Sequence, residues 1–388
     1  MIFSRNFIIV AVVNFLLMTA YYLLFVISSP YAAETFGATP STAGLVAGLI
    51  LIGCLTGRFF TGRIVTQVGF VPVLFTGIGI YTASLGLYLA AGSLPSLMAV
   101  RFLSGVGIGC IGTVTGTLIV HIVPPHLHGQ GINYFSCSTI LALALGPFFG
   151  LQLMRLFSFP EIFVLCAGLG VVSLLLATAL RLPAMEKGAA EEGGENSAFR
   201  LRSYIEYAAV PIGVVVLLVS AAYGSLQAFM AFYAAEAGLD GTASVFFLVY
   251  AVTGFCLRPF AGKVLDRRNA NFVIYPALVL ACCGFMVLGA TPGVTGILFA
   301  GVLVGAGVSN LQTAVQTVSV RLVEKRRFGP ATSTYFILLD LGIGVGPYFL
   351  GFIVPYAGYA GVFQAGAVLA LVSIPLYYVV HGRKIRRA

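Results

Sequence analysis

Twelve apolar runs, each about long enough to cross a bilayer, constrain this chain more than any other feature. A helix that spans the hydrocarbon core takes roughly 20 apolar residues. Divided at its polar punctuation, the chain yields runs at 7–31, 42–65, 72–92, 95–121, 129–154, 161–181, 206–234, 242–263, 271–290, 294–320, 329–355 and 360–380. Only 9% of its 388 residues are charged and 59% are apolar, a balance that leaves water an unsuitable main solvent. The expected fold is an all-α integral membrane protein of 12 transmembrane helices.

The first run follows a single basic residue, Arg5, and is too long for the core of a signal peptide. It is predicted as a retained helix. All seven cysteines fall inside apolar runs, where they behave as small hydrophobes and suggest neither disulfides nor a metal site. His121, His126 and His128 cluster in one polar turn without acids or cysteines, so solvated histidines are expected there and no metal. With no phosphate-binding glycine loop followed by lysine and no nucleophile elbow, the chain is expected to be neither an ATP-driven pump nor a hydrolase, and no cofactor is implied.

The net charge of +9 is placed asymmetrically. If the amino terminus is cytoplasmic, almost every lysine and arginine falls in or beside a cytoplasmic segment, and only Arg101 and Arg155 lie toward the outside. The positive-inside rule then predicts a multi-pass protein of the bacterial inner membrane with both termini cytoplasmic, and the basic balance argues for no nucleic-acid partner.

The long polar stretch from Pro183 to Ser203 has almost nothing to bury and reads as a flexible cytoplasmic linker. The domain boundaries follow: an amino-terminal six-helix bundle over 1–182, a linker over 183–205 and a carboxy-terminal six-helix bundle over 206–388. The two halves resemble each other at an offset of 200 residues. Arg58 to Thr66 aligns with Arg258 to Asp266, Gly105-Val-Gly107 with Gly305-Ala-Gly307, and Gly146-Pro147 with Gly346-Pro347. Tyr31-Ala-Ala-Glu34 matches Tyr233-Ala-Ala-Glu236 at an offset of 202. Duplicated halves of this kind are expected to hold a solute site near the midplane and to expose it alternately to either side.

Several of these motifs resemble those of the major facilitator superfamily, over essentially the whole chain. The stretch from Gly62 through Arg63 and Thr66 to Gly69 is similar to the family's G-x-x-x-D-R-x-G loop with acid and base replaced. Its counterpart at Gly262, Asp266 and Arg267 keeps both. Arg101 with Gly105, Gly107 and Gly109 resembles the R-x-x-x-G-x-G signature of proton-coupled members. The segment around Gly146-Pro147 is close to the antiporter signature, and Asp340 to Pro347 looks like the bacterial drug and sugar efflux branch. The resemblance implies a monomer, a cytoplasmic gating motif made by Arg58, Gly62, Gly69, Arg258, Gly262, Asp266 and Arg267, and coupling roles for Arg101 and Asp340.

Asp340 is the only acid deep within an apolar run, twelve residues beyond Phe328 and so about 18 Å along a helix. Holding a carboxylate there costs roughly 2.5–3.5 kcal/mol, which makes Asp340 the candidate carrier of a proton or binder of a substrate cation. The alternative is a structural acid bonded to Ser333 or Tyr335. Arg101 reads either as a coupling residue or as an arginine snorkelling to the outer interface. Asn14, Met18, Tyr21 and Phe25 form one helical stripe, and with Gln227, Asn310, Gln312 and Thr313 they are candidates to line a cavity, interhelical bonding being the other reading. Gly146-Pro147 and Gly346-Pro347 are expected to permit gating bends, because proline frees a carbonyl one turn earlier.

The function expected is secondary active transport by alternating access: efflux of a small organic solute in exchange for protons, with solute, protons and the bilayer as partners. An importer of a sugar or organic acid and a non-transporting receptor or scaffold are the rivals.

Overall fold

The computed structural model describes residues 3–124, 127–180, 205–291, 293–324 and 327–383. The predicted linker, apart from Ile205, lies outside these residues, as does His126. The twelve helices are α1 (Arg5–Phe36), α2 (Pro40–Val68), α3 (Phe70–Leu87), α4 (Leu94–Ile122), α5 (His128–Leu153), α6 (Phe159–Thr178), α7 (Val210–Glu236), α8 (Asp240–Arg267), α9 (Asn271–Ala290), α10 (Val294–Arg321), α11 (Phe328–Gly351) and α12 (Val354–Tyr377). Each contains a span long and apolar enough to cross a membrane, and no strand occurs among the described residues. Outward-facing side chains are apolar as well; Phe260 stands 66% exposed. Such a surface would drive aggregation in water and is at rest in hydrocarbon.

Local chemistry accounts for where helices begin and end. The α4 start is a reciprocal cap: the Ser93 N–H donates to Ser96 Oγ at 3.0 Å and the Ser96 N–H to Ser93 Oγ at 3.3 Å. Between α2 and α3, Gly69 takes φ 88°, a conformation that favours glycine and stops the first helix. The seventh run was expected to begin at 206, yet α7 starts at Val210; Glu206 lies before a turn at 207–209 and donates its N–H to Thr334 Oγ1 at 2.7 Å. The last run, expected from 360, starts at Val354 with Pro355 in its first turn, and Gly358 at φ 63° interrupts it. Hydropathy could not see that interruption, since the residues on both sides of it are apolar.

The helices gather into two compact units, one of Met1–Phe25 with Leu49–Ala198 and the other of Val26–Gly48 with Phe199–Ala388. The carboxy-terminal end of α1 and the amino-terminal part of α2 thus belong with the second unit, a division the sequence repeat does not draw.

Within each unit the packing repeats at the offset found in the sequence. A Cβ on Gly107 would meet Tyr81 N at 2.8 Å and Gly77 O at 3.0 Å, and one on Gly307 would meet Ala277 O at 2.7 Å and overlap Ala281 N. Gly105 lies against the Ile50 carbonyl and Gly305 against that of Tyr250. The duplicated glycines therefore seat α4 on α2 and α3 as they seat α10 on α8 and α9. One contact swaps its sizes: Cys54 faces Gly109 in the first unit, while Gly254 faces Ser309 in the second. Small residues permit this backbone approach, which matters in lipid because apolar side chains gain nothing by leaving it.

Candidate functional site

Asp340 is 5% exposed on α11, and its helix owes its position to alternating glycines. Gly342 and Gly346 share one face, where a Cβ would overlap the carbonyls of Leu217 and Ala221 on α7. Gly344 and Pro347 share the opposite face with Asp340 and Gly351, at the spacing i, i+4, i+7 and i+11. This second face meets the amino-terminal half of α2. A Cβ on Gly48 would overlap the Gly344 carbonyl, one on Gly44 would lie 2.5 Å from the Pro347 carbonyl, and Ser41 Oγ donates to the Tyr348 carbonyl at 2.5 Å. Asp340 therefore stands one helical turn from a close seam of α2 on α11.

Around Tyr335, on the same helix as Asp340, the second unit gathers aromatic, acidic and basic groups. Tyr335, buried one turn away, lies within electrostatic reach of Asp340, Arg258 and Tyr250. Tyr250 stacks on Tyr223 of α7, with ring centroids 5.1 Å apart at 20°. Arg258 donates from Nε to Ser309 Oγ on α10 at 3.2 Å. Sequence reasoning assigned Arg258 to the gating motif and passed over Ser309, whose equivalent in the first half is a glycine; the repeat itself carried that signal.

Arg101 on α4 has no solvent exposure at all. Its Nη1 donates to Tyr88 Oη at 3.3 Å, beside the equally buried Tyr81. A guanidinium so enclosed does not snorkel, which removes that alternative. One turn on, Ser104 donates to Ser84 Oγ at 2.8 Å and strengthens the same α3–α4 contact.

The candidate cavity residues are spread more widely. Asn14 Nδ2 donates to Ser138 Oγ and Thr139 Oγ1 on α5, each at 2.9 Å, and so bonds one helix to another. Tyr21 and Phe25 are buried with centroids 6.3 Å apart, Met18 is half-buried, and Gln227 is buried on α7. Gln312 is half-buried, and Thr313 returns its hydroxyl to the Ser309 carbonyl at 3.1 Å. Asn310 is buried; its Nδ2 donates to the Ala306 carbonyl at 2.7 Å and its Oδ1 has no partner.

The gating residues are joined differently from the spacing alone. Asp266 pairs with Arg321 at the end of α10, Nη2 to Oδ1 at 2.7 Å, with Nη1 on the Leu265 carbonyl at 3.0 Å. Arg267 is exposed, Arg58 half-buried, and the surroundings of Gly62 lie outside the described residues. A glycine in such a loop allows close helix approach, but among the described residues nothing stands within 4 Å of a Cβ built on Gly262. A second ion pair, Arg327 with Glu206, joins the start of α11 to the segment before α7, and the Arg327 guanidinium holds the Glu206 carboxyl below the usual range. As for the expected bends, α5 and α11 both run on through their Gly-Pro pairs. Gly146 and Gly346 are also points of close approach to α1 and α7.

With this geometry in hand, known proteins give it context. The family model described as Major Facilitator Superfamily matches residues 10–309. The uncharacterized MFS-type transporter YhhS of Escherichia coli K12 is 24% identical over 89% of this chain and 85% of its own. The uncharacterized MFS-type transporter MJ1560 of Methanocaldococcus jannaschii is 21% identical over 88% and 89%. Among solved structures, a bacterial homolog of the human lysosomal transporter Spinster, inward-facing and unoccupied, superposes with TM-score 0.77 at 15% identity, covering 97% of this chain and 96% of that one. The nucleoside transporter NupG superposes with TM-score 0.74 at 13% identity, covering 96% and 99%. At these identities the structural likeness carries the fold alone.

Proposed function

From the premise that the chain belongs to the Major Facilitator Superfamily and is a multi-pass secondary transporter, we propose that it exports a small, amphiphilic organic solute in exchange for protons. Asp340 carries the proton in this reading. The observation behind it is a carboxyl buried within a membrane span, one turn from the α2–α11 seam and within electrostatic reach of Tyr335. Intramembrane acids are costly and mark proton and ion pathways. Neutralising Asp340 changes the charge beside the seam, so proton binding and seam opening can bias each other in alternating access. Arg101 acts with it as a coupling residue, the arginines and Asp266 form a gate on the cytoplasmic side, and both termini face the cytoplasm of a bacterial inner membrane. The prolines of the Gly-Pro pairs free a carbonyl one turn earlier, so α5 and α11 can bend there as access alternates.

The test is reconstitution in liposomes with an imposed pH gradient, following internal pH while candidate solutes are added. Proton movement opposite to solute, lost in Asp340→Asn, supports the proposal. Protons moving with the solute would make the protein an importer, and silence across a broad panel of solutes would turn attention to a receptor or scaffold role.

A further inference from the structure

Three exposed arginines are brought to one end of the second unit. Arg267 and Arg268 stand where α8 ends, and Arg383 follows the single wide turn, Tyr378–Gly382, that extends α12. Asn271, the first residue of α9, ties these ends together. Its Nδ2 donates to the Gly382 carbonyl at 3.1 Å, and its Oδ1 accepts from Tyr377 Oη at 2.7 Å. The chain from Gly241 to Gly293 holds one acid, Asp266, and Arg321 already meets its charge. Among the described residues no carboxylate pairs with Arg267, Arg268 or Arg383. Basic charge gathered at the ends of membrane-spanning helices sits at the level of lipid headgroups.

An apolar groove runs from these charges toward the middle of the span. The helices α8 and α9 both pack on α10 and scarcely touch each other. Leu257, Phe260 and Val264 wall the cleft between them on one side, and Phe272, Pro276 and Leu280 on the other. From Phe272 to Leu280 it follows α9 for about 12 Å. Its volume of about 190 Å³ falls below the roughly 300–1,000 Å³ of sites that enclose small molecules, so it suits a slender chain lying along it. Charge marks one end of the groove: the Arg268 guanidinium lies over the ring of Phe272, 5.0 Å from its centroid.

We propose that this end of α8 and α9 holds an anionic phospholipid, its phosphate on Arg268 with Arg267 and Arg383 beside it and one acyl chain in the groove. A soluble anion would leave the groove unfilled, and a phosphatidylcholine would bring its own cation against the arginines. The site requires only that the helices span a bilayer, so its failure and a failure of proton coupling are read separately.

The chain has no tryptophan, so Phe272→Trp sets a single fluorophore at the charged end of the groove, and an indole keeps a ring face for Arg268. The full-length protein would be reconstituted in phosphatidylcholine vesicles containing rising fractions of either phosphatidylglycerol or phosphatidylcholine with brominated, quenching acyl chains. Each arginine at an anionic surface is worth about a fivefold preference. Brominated phosphatidylglycerol should therefore quench the Phe272→Trp protein with at least about fivefold higher affinity than brominated phosphatidylcholine. Met286→Trp, exposed about 21 Å further along α9, is the control and should show little preference. Arg268→Gln should lower the preference about fivefold, and Arg268→Lys, which keeps the charge, should retain most of it. Sodium chloride at about 1 M, which screens charges beyond roughly 3 Å, should weaken the preference without any change to the arginines. Equal quenching by the two lipids at Phe272→Trp, an equal preference at Met286→Trp, or a preference that survives both salt and the combined Arg267→Gln, Arg268→Gln and Arg383→Gln would overturn the site.

Discussion

Gly48→Ala puts one methyl group where the seam has no room for it. A Cβ there overlaps the Gly344 carbonyl, a backbone atom on a helix also pinned to α7 by Gly342 and Gly346, so only separation of α2 from α11 relieves it. Overpacking of this kind costs about 1–3 kcal/mol, and alanine in place of glycine in a helix returns about 1 kcal/mol. The closed seam should lose up to about 2 kcal/mol, a shift of about thirtyfold toward its open form. Gly262→Ala is the control: nothing lies within 4 Å of its Cβ, so only the helix-propensity gain of about 1 kcal/mol remains and the protein should become slightly more stable. The reporter is Ser41→Cys, whose parent hydroxyl is buried on the Tyr348 carbonyl. Its labelling by a membrane-impermeant maleimide would be measured above the background of the native cysteines. Labelling should be about ten- to thirtyfold faster with Gly48→Ala and unchanged with Gly262→Ala. If both substitutions raise the melting temperature equally and leave labelling alone, the seam is not the close contact argued here.

Arg101→Ala leaves the buried Tyr88 hydroxyl without its donor and should cost about 1–3 kcal/mol in thermal unfolding. Arg101→Lys, lacking the planar fork, should restore little of it, and full stability in both would show the arginine idle. The Glu206 carboxyl is held low by Arg327, so its contribution is present above about pH 4.3 and lost as pH falls through the lowered value. Wild type should therefore melt higher than Glu206→Gln at pH 7, and the two curves should converge in acid. A gap that persists to pH 3 would contradict the pairing.

Architecture was legible because lipid imposes it. Apolar runs of spanning length must become helices, and the run at 271–290 coincides with α9 residue for residue. The repeat was legible down to single contacts, since Gly107 and Gly307 meet partners that are themselves 200 residues apart. What sequence concealed were partners set by rotation and depth. Asp266 sits next to Arg267 in the chain, yet it pairs with Arg321, fifty-five residues away, because adjacent side chains on a helix point apart. Nor could hydropathy say that Arg101 turns toward Tyr88, or that a Cβ on Gly262 would meet nothing within 4 Å among the described residues. The glycine series after Asp340 was readable as a signature. Its physical meaning, two opposite faces serving α7 and α2, required the coordinates.

Proton coupling through Asp340 is the central claim, and it separates two activities that a single mutation can split. Once a transported solute is known, proteoliposomes bearing Asp340→Asn should still exchange labelled for unlabelled solute across the membrane, because exchange needs no net proton movement. They should fail to accumulate solute against its gradient when a pH difference is imposed. Accumulation driven by pH at the wild-type rate in Asp340→Asn would contradict the account, whatever else in the architecture stands.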